Sequence, residues 1–289
     1  MSEQRKSAVV TGVSTGIGRA IAKALIDDGW RVFGSVRKQK DADDARAALG
    51  TQFTPLLFDV TNADAIKKAA GEVETALGGE TLGALVNNAG VAVAGPVAHI
   101  PIEEVERQID INVYGPLRVT QAFLPLLGAD RSRRGEPGRI VNMSSVAGKI
   151  ASPFMSPYAM SKHALEAMSE SLRRELLVHG IDVIVVGPGA IKTPIWAKAD
   201  ELNVEQYQDT EYFDTLSRMR DMMKEFGNEG LEPAEVGALV LDILTTSKPK
   251  VRYPILKNKF AMWTIPNLLP KRLVDKAVAK RFGIKQRGA

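Results

Sequence analysis

The chain has 289 residues, 45% of them hydrophobic and 25% charged, which fits a globular protein and excludes a fibrous or disordered one. It contains no cysteine, which excludes disulfides, thiolate-held metal and thiol nucleophiles, and its three histidines (His99, His163, His179) show no metal-binding spacing. The net charge of +4 comes from a basic excess near the C-terminus, and no stretch reaches the roughly 20 apolar residues of a membrane span.

Met1 to Ser7 is short and polar and lacks the apolar core of a signal peptide. With no cysteine in the chain, a reducing compartment fits, and the cytoplasm is the expected location. Ser7 to Thr11 is an apolar run of strand type. It leads into Gly12-Val-Ser-Thr-Gly16-Ile-Gly18 and a helical run from about Arg19 to Asp28. A strand, a glycine turn and a helix form an arrangement that cradles phosphate, because the helix N-terminus offers unpaired N–H groups to negative charge. The spacing is G-x-x-x-G-x-G rather than the commoner G-x-G-x-x-G.

A second strand, Arg31 to Val36, ends in Arg37-Lys38, with no acid before Asp41. An acid at this strand end bonds ribose hydroxyls, whereas an arginine accommodates a 2′-phosphate. The residues therefore favour NADP(H) over NAD(H); the alternative is a basic strand end facing water. A polar helix (Asp41 to Leu49) and a third strand (Thr54 to Phe58) follow, ending at Asp59-Val60-Thr61. Asp59 is placed to meet adenine, or to cap the next helix (Asn62 to Leu77) with Thr61 or Asn62. A fourth strand, Leu82 to Val86, runs into Asn87-Asn88-Ala89-Gly90, a stretch suited to a flat cofactor or to a plain Asx turn.

Pro101 to Leu127 reads as one long helix or two broken near Gly115-Pro116. Asn112 lies inside it, where asparagine is mildly unfavourable, and a backbone kink holding water for a proton relay is one reason for it. Ala129 to Gly138 is a charged loop and a surface insertion. The fifth strand, Arg139 to Met143, delivers Ser144-Ser145 to its carboxyl end. A helix from about Ser156 to His179 carries Tyr158 and Lys162, which are four apart and share a face. A free phenol has a pKa of about 10, and a nearby ammonium is expected to lower it toward a useful acid and base. The sixth strand, Ile181 to Val186, ends in Gly187-Pro-Gly-Ala-Ile-Lys-Thr193.

Strands alternating with helices imply an α/β fold, a doubly wound parallel sheet of Rossmann type with helices on both faces. Ligands bind at the carboxyl ends of such strands. Gly12 to Gly18, Arg37, Asp59, Asn87 to Gly90, Ser145 and Pro188 to Thr193 all fall there.

At this point the chain resembles the short-chain dehydrogenase/reductase family. The likeness rests on Thr11-Gly12-x-x-x-Gly16-Ile17-Gly18, Asn87-Asn88-Ala89-Gly90, Asn112, Ser145, Tyr158-x-x-x-Lys162 and Pro188-Gly189, in the family's order, over roughly Ser7 to Pro194. Ser145 is preferred to Ser144 because the family's serine precedes its tyrosine by thirteen residues. The loop after Leu127 lengthens the interval from Asn112 to Ser145 relative to short members.

The resemblance implies a catalytic set of Asn112, Ser145, Tyr158 and Lys162. Tyr158 is the general acid in reduction and the base in oxidation; Lys162 lowers its pKa and holds the nicotinamide ribose. Ser145 orients the substrate oxygen, and Asn112 completes a water relay. The implied cofactor contacts are Gly12, Ser14, Thr15, Gly16, Ile17, Gly18, Arg37, Asp59, Val60, Asn88, Ala89, Gly90, Tyr158, Lys162, Pro188, Gly189, Ile191 and Thr193. Thr193 is expected at the carboxamide or a phosphate. The family's usual homodimer or homotetramer is expected, often through the helices of Asn112 and Tyr158.

One domain is expected over 1–289, with a substrate lid at 194–230 and an extension at 254–289. The lid carries Trp196, Leu202, Tyr207, Tyr212, Phe213, Leu216, Met219, Met222, Met223 and Phe226. It suits a bulky apolar substrate or simply covers the core. Pro233 to Thr246 reads as an amphipathic helix and Val251 to Ile255 as a last strand. The Arg37-Lys38 strand end and the extension resemble the branch acting on steroids, retinoids and long-chain alcohols. The extension holds Ile255, Leu256, Phe260, Met262, Trp263, Ile265, Leu268 and Leu269, then Lys271, Arg272, Lys276, Lys280, Arg281, Lys285 and Arg287. It is expected to wrap the cleft or a partner subunit in preference to a peripheral membrane contact. No nucleic-acid partner and no metal are expected. The competing reading is a non-catalytic dinucleotide sensor or scaffold, which has no need of Ser145, Tyr158 and Lys162 together.

Overall fold

The computed structural model describes residues 6–194 and 204–284. The first half alternates β1 (Ser7–Val10), α1 (Gly16–Asp27), β2 (Arg31–Val36), α2 (Gln39–Leu49), β3 (Phe53–Leu57) and α3 (Ala63–Leu77). The second half contains β4 (Ala84–Asn87), α4 (Ile102–Ile109), α5 (Gly115–Phe123), β5 (Arg139–Met143), α6 (Ser156–Glu175), β6 (Asp182–Pro188), α7 (Phe213–Glu229), α8 (Pro233–Thr245) and β7 (Arg252–Ile255). Two further helices, α9 (Ile265–Leu268) and α10 (Lys271–Phe282), follow. All seven strands are parallel, in the order β3-β2-β1-β4-β5-β6-β7. The chain winds outward from β1 to β3, then crosses back to lay β4 on the other side of β1. A crevice opens at the carboxyl ends of strands where winding reverses in this way.

The strands are buried on both faces, so they read as continuous apolar runs and alternate only in destination. Val10, Val86, Val141 and Ile184 pack toward α1, α2 and α8, with Ile21, Leu25, Ala45 and Val240. Val9, Leu85, Ile140 and Val183 pack toward α3 and α5, with Ile66, Val73, Val119 and Phe123. Each fully buried Ile, Leu or Phe here contributes roughly 1.5–3 kcal/mol.

The long helical run from Pro101 breaks where Pro116 enters. Pro116 has no N–H to donate and its ring crowds the preceding turn. The backbone widens into a π turn at Asp110–Tyr114, where Gly115 N–H reaches back to Asp110 O. The end of α6 tightens to a 3₁₀ turn at Leu176–His179, and Gly180 closes it at φ 69°. β6 continues to Pro188, beyond the expected Val186, because β7 lies beside it and pairs Gly187 and Pro188 with Pro254 and Ile255.

The charged loop after Ala129 is tied down rather than free. Arg134 N–H bonds Gly79 O at 2.9 Å, and Arg134 O accepts from Thr81 N–H at 2.9 Å. The Arg133 side chain is only 5% exposed and pairs with Glu74 of α3. Next to the loop, Arg139 donates to Ile243 O and Thr246 O, both at 2.7 Å, which anchors the end of α8.

α8 approaches α1 closely because Gly237 faces Ala20. A Cβ at Gly237 would lie 2.6 Å from Ala20 O. In an isolated helix Gly→Ala stabilises by about 1 kcal/mol. Here Gly237→Ala is expected to lower stability by about 1–3 kcal/mol through overpacking. Urea unfolding checks this, and a raised midpoint would show that the two helices part without cost.

Candidate active site

The glycine turn between β1 and α1 needs glycine at specific places. Gly12 and Gly16 have φ of +71° and +59°, in the left-handed region. A Cβ on Gly18 would sit 2.2 Å from Gly12 O and 2.5 Å from Asn88 Nδ2. The turn thus packs directly onto the end of β4. Thr11 Oγ1 accepts from Asn88 N–H at 2.9 Å and from Ala89 N–H at 3.0 Å, while Asn88 Nδ2 donates to Thr11 O at 2.9 Å and Gly12 O at 3.2 Å. Gly12 N–H bonds Ser35 Oγ at 3.0 Å. α1 starts at Gly16 with no side-chain cap from Thr15 and no acid in its first turn. Its N–H groups and dipole are left to an external anion.

A cavity of about 810 Å³ runs along the strand ends. Gly12, Ser14, Thr15, Gly16, Ile17 and Gly18 line it from β1, Arg37 from β2, and Asp59 and Val60 from β3. Asn88, Ala89 and Gly90 line it from β4, Ser145 from β5, and Pro188, Gly189, Ile191 and Thr193 from β6. Tyr158 and Lys162 enter from α6. Arg37 is 69% exposed and lies 3.9 Å from Asp59, a loose pair that leaves the guanidinium available. Asp59 Oδ1 accepts from Thr61 N–H and Oγ1 at 2.9 and 2.8 Å, and Asn62, not Asp59, caps α3 through Ala65 N–H.

Lys162 is buried and donates to Met143 O at 2.8 Å. Its Nζ lies 5.7 Å from the centre of the Tyr158 ring. Burial lowers its pKa to about 8, opposed by the Glu166 carboxylate one turn along α6. For Tyr158 the direction is the reverse of the sequence expectation. Withdrawal of water from the phenol pushes its pKa above 10, and the Ser145 hydroxyl only partly offsets this. Nearness to an ammonium does not lower the pKa here, because desolvation of the phenolate outweighs it. Ser145 Oγ also accepts from Ala147 N–H at 3.1 Å and donates to Pro188 O at 3.3 Å. Ser144 reaches the cavity too, but its Oγ is buried without a hydrogen-bond partner.

Asn112 sits in the π turn, fully buried, and does not line the cavity. Its Oδ1 accepts from Val91 N–H at 2.9 Å; its Nδ2 donates to Val91 O at 2.9 Å and Ser161 Oγ at 3.1 Å. A Cβ on Gly90 would lie 3.1 Å from Asn112 Oδ1 and 3.8 Å from Lys162 Nζ, so Asn112 stands just behind the cavity wall.

Behind the cavity wall, one residue carried no sequence signal. Arg252, at the start of β7, donates from Nε to both oxygens of Glu166 at 3.0 Å and from Nη2 to Ser145 O at 3.2 Å. Trp263 lies over its guanidinium at 4.3 Å. Glu166 is one turn beyond Lys162, a spacing open to view, but Arg252 is 86 residues away and only the sheet brings it there.

α7 and the segment after β7 bring apolar side chains to the cavity, beside Glu229, Lys257, Asn258 and Arg281. Met219, Met222 and Met223 of α7, Leu256, Met262 and Phe282 line it. Tyr207, Leu216 and Met219 are buried in a small cluster with Phe154, with Tyr212 and Phe213 packed against them, so the lid region both covers protein and faces the cavity. Trp196, Leu202 and the Phe226 side chain, read as parts of the lid, lie outside the described residues.

A family model for short chain dehydrogenases matches residues 6–203. An NADPH-dependent 3-dehydrocapnine reductase from Ornithobacterium rhinotracheale is 40% identical over 273 residues, 94% of this chain and 96% of that protein. Retinol dehydrogenase 5 from Mus musculus is 31% identical over 280 residues, 92% of this chain and 85% of that protein. Among solved structures, a short-chain dehydrogenase from Streptomyces avermitilis superposes with a TM-score of 0.77 at 27% identity, covering 99% of this chain and 100% of that one. A Phe-to-Trp variant of actinorhodin polyketide ketoreductase with NADPH gives 0.73 at 27% identity, covering 88% and 97%.

Arg252 and Glu166 form a largely buried pair, 15% and 6% exposed. Arg252→Leu leaves the buried carboxylate with only the looser Lys149 ammonium at 3.7 Å and is expected to cost up to about 3–5 kcal/mol. Adding Glu166→Leu is expected to recover most of the loss. Denaturant midpoints of the two variants check this; equal midpoints would show that the ion pair is not what holds β7 to α6.

Proposed function

The chain belongs to the short-chain dehydrogenase/reductase family, and on that premise we propose that it is an NADP(H)-dependent oxidoreductase acting in the cytoplasm. It interconverts a lipophilic secondary alcohol and its ketone, or an alcohol and its aldehyde; steroids, retinoids and long-chain alcohols are the substrate classes. The observation that carries this reading is one cavity lined together by an uncapped helix N-terminus, the Tyr158–Lys162 pair and three methionines of α7.

The Gly12–Gly18 turn and the α1 N-terminus hold the diphosphate, and Arg37 meets the 2′-phosphate. Asp59 and Val60 would meet the adenine, and Asn88, Ala89 and Gly90 would pack beside the flat cofactor. Pro188, Gly189, Ile191 and Thr193 bound the nicotinamide end. When bound, the nicotinamide supplies or accepts the hydride. Ser145 orients the substrate oxygen. Tyr158, a phenol that keeps its proton at neutral pH, gives that proton to the carbonyl oxygen as negative charge develops there. Lys162 holds the nicotinamide ribose and, as an ammonium, stabilises the phenolate left behind. Asn112 serves by fixing the π turn behind Gly90 and Ser161, its own amide being committed to Val91 and Ser161. The described region from 204 to 230 and the extension act as the lid over the substrate, and the enzyme works as a homodimer or homotetramer. The 3-dehydrocapnine reductase, 40% identical, is NADPH-dependent, and the Mus musculus relative is a retinol dehydrogenase; both names support this reading.

Tyr158→Phe is expected to lower kcat about 10²- to 10⁴-fold with cofactor binding unchanged. Nicotinamide absorbance against hydroxysteroids, retinoids and long-chain alcohols reads it, and an active variant would remove Tyr158 as the acid. The pH profile of kcat/KM in reduction is a second check. Lys162 is charged below its folded pKa of about 8, so the rate falls as pH rises through that value. A profile flat from about pH 7 to 10 would remove Lys162 from this role. Arg37→Ala is expected to weaken NADPH binding about 10- to 100-fold, the worth of a charge-assisted hydrogen bond, and to leave NADH nearly unchanged. Equal losses for both cofactors would refute the assignment of Arg37 to the 2′-phosphate.

A further inference from the structure

The segment after β7 has two faces. One face looks inward: Met262 and Phe282 line the cavity and Trp263 covers Arg252. The other is bare. Phe260 is 71% exposed, Leu268 79% and Leu273 52%. Phe260, Thr264 and Leu268 are four apart along the π turn Phe260–Thr264 and α9, so Phe260 and Leu268 point the same way. Leu273 and exposed Ala277 continue the apolar surface on α10. Such a patch marks an interface.

Charge decides which kind. Lys259 precedes the patch, and Lys271, Arg272, Lys276 and Lys280 follow it, all exposed, while Lys257 lines the cavity. Asp275 is the one acid between residues 257 and 284. A second copy would set this positive surface against itself, and like charges oppose that pairing. A nucleic acid would use the cations but gain nothing from an exposed Phe260 and Leu268. Apolar side chains ringed by lysine and arginine on short helices suit the headgroup boundary of an anionic bilayer. Among the described residues no helix is long and apolar enough to cross a membrane, so such contact is with the surface.

We propose that 257–284 docks the protein on membranes containing anionic lipid, with Phe260, Leu268 and Leu273 entering the headgroup boundary and the lysines facing lipid phosphate. Docking uses no residue assigned to hydride or proton transfer, so it stands or fails apart from the reaction proposed above.

The test is co-sedimentation of the full chain with phosphatidylcholine vesicles, with and without phosphatidylserine. Binding is expected only with phosphatidylserine, and is expected to weaken with salt. Lys276→Gln with Lys280→Gln is expected to lower partitioning about 30-fold, at roughly fivefold per cation. Phe260→Ser with Leu268→Ser is expected to lower it at least about tenfold. All four side chains are exposed, and an unchanged thermal transition in each variant confirms the fold. No binding to phosphatidylserine vesicles would overturn the proposal. So would binding that ignores the serine substitutions while a DNA duplex competes for the same lysines, which would mark a general polyanion site. Loss of a dimer in the serine variant, seen by sedimentation velocity without lipid, would assign the patch to a second copy instead.

Discussion

The structure depends on how closely the β1 turn and the end of β4 approach each other. The sheet winds in opposite directions from these two strands, and a crevice must open between their carboxyl ends. The crevice keeps a fixed shape because Thr11 and Gly12 accept four hydrogen bonds across it, three from Asn88 and one from Ala89. Gly18 sits where a methyl group would overlap the backbone of Gly12. Those constraints set the direction of α1 and leave its first N–H groups facing the cavity. A side-chain cap there would satisfy the helix and close the site to an anion.

Burial tunes the other half of the crevice. Removing water from Tyr158 and Lys162 raises the first and lowers the second, so both move toward their neutral forms. Glu166 works against this at Lys162, and a carboxylate so buried requires its own partner. Arg252 supplies it and also bonds the carbonyl of Ser145. One ionic chain therefore joins α6, the end of β5 and the start of β7. The last strand thereby fastens the segment carrying Met262 and Trp263 over the cavity.

That segment adds Leu256, Met262 and Phe282 to the lining of the cavity. Tyr207, Leu216 and Met219 form a small core of their own with Phe154, separate from the two layers that sandwich the sheet. It supports α7, whose Met222 and Met223 face the cavity across from Leu256, Met262 and Phe282. Flexible thioethers adapt to varied apolar shapes.

Legible in the sequence were the alternation of strands and helices, the doubly wound parallel sheet, the placing of Gly12, Arg37, Asn88 and Ser145 at strand ends, and Tyr158 with Lys162 on one face of a helix. Those features follow from period and turn chemistry, which are local properties of the chain. The sequence left open one helix or two near Gly115-Pro116, and the structure keeps one helical path that widens into a π turn just before Gly115. Tertiary structure alone decided the sign of the Tyr158 shift, which depends on how much water the surrounding elements displace. It alone committed the Asn112 amide to Val91 and Ser161 and brought Arg252 to Glu166. These are contacts between residues far apart in the chain, and no local pattern encodes a partner that only the packed sheet supplies.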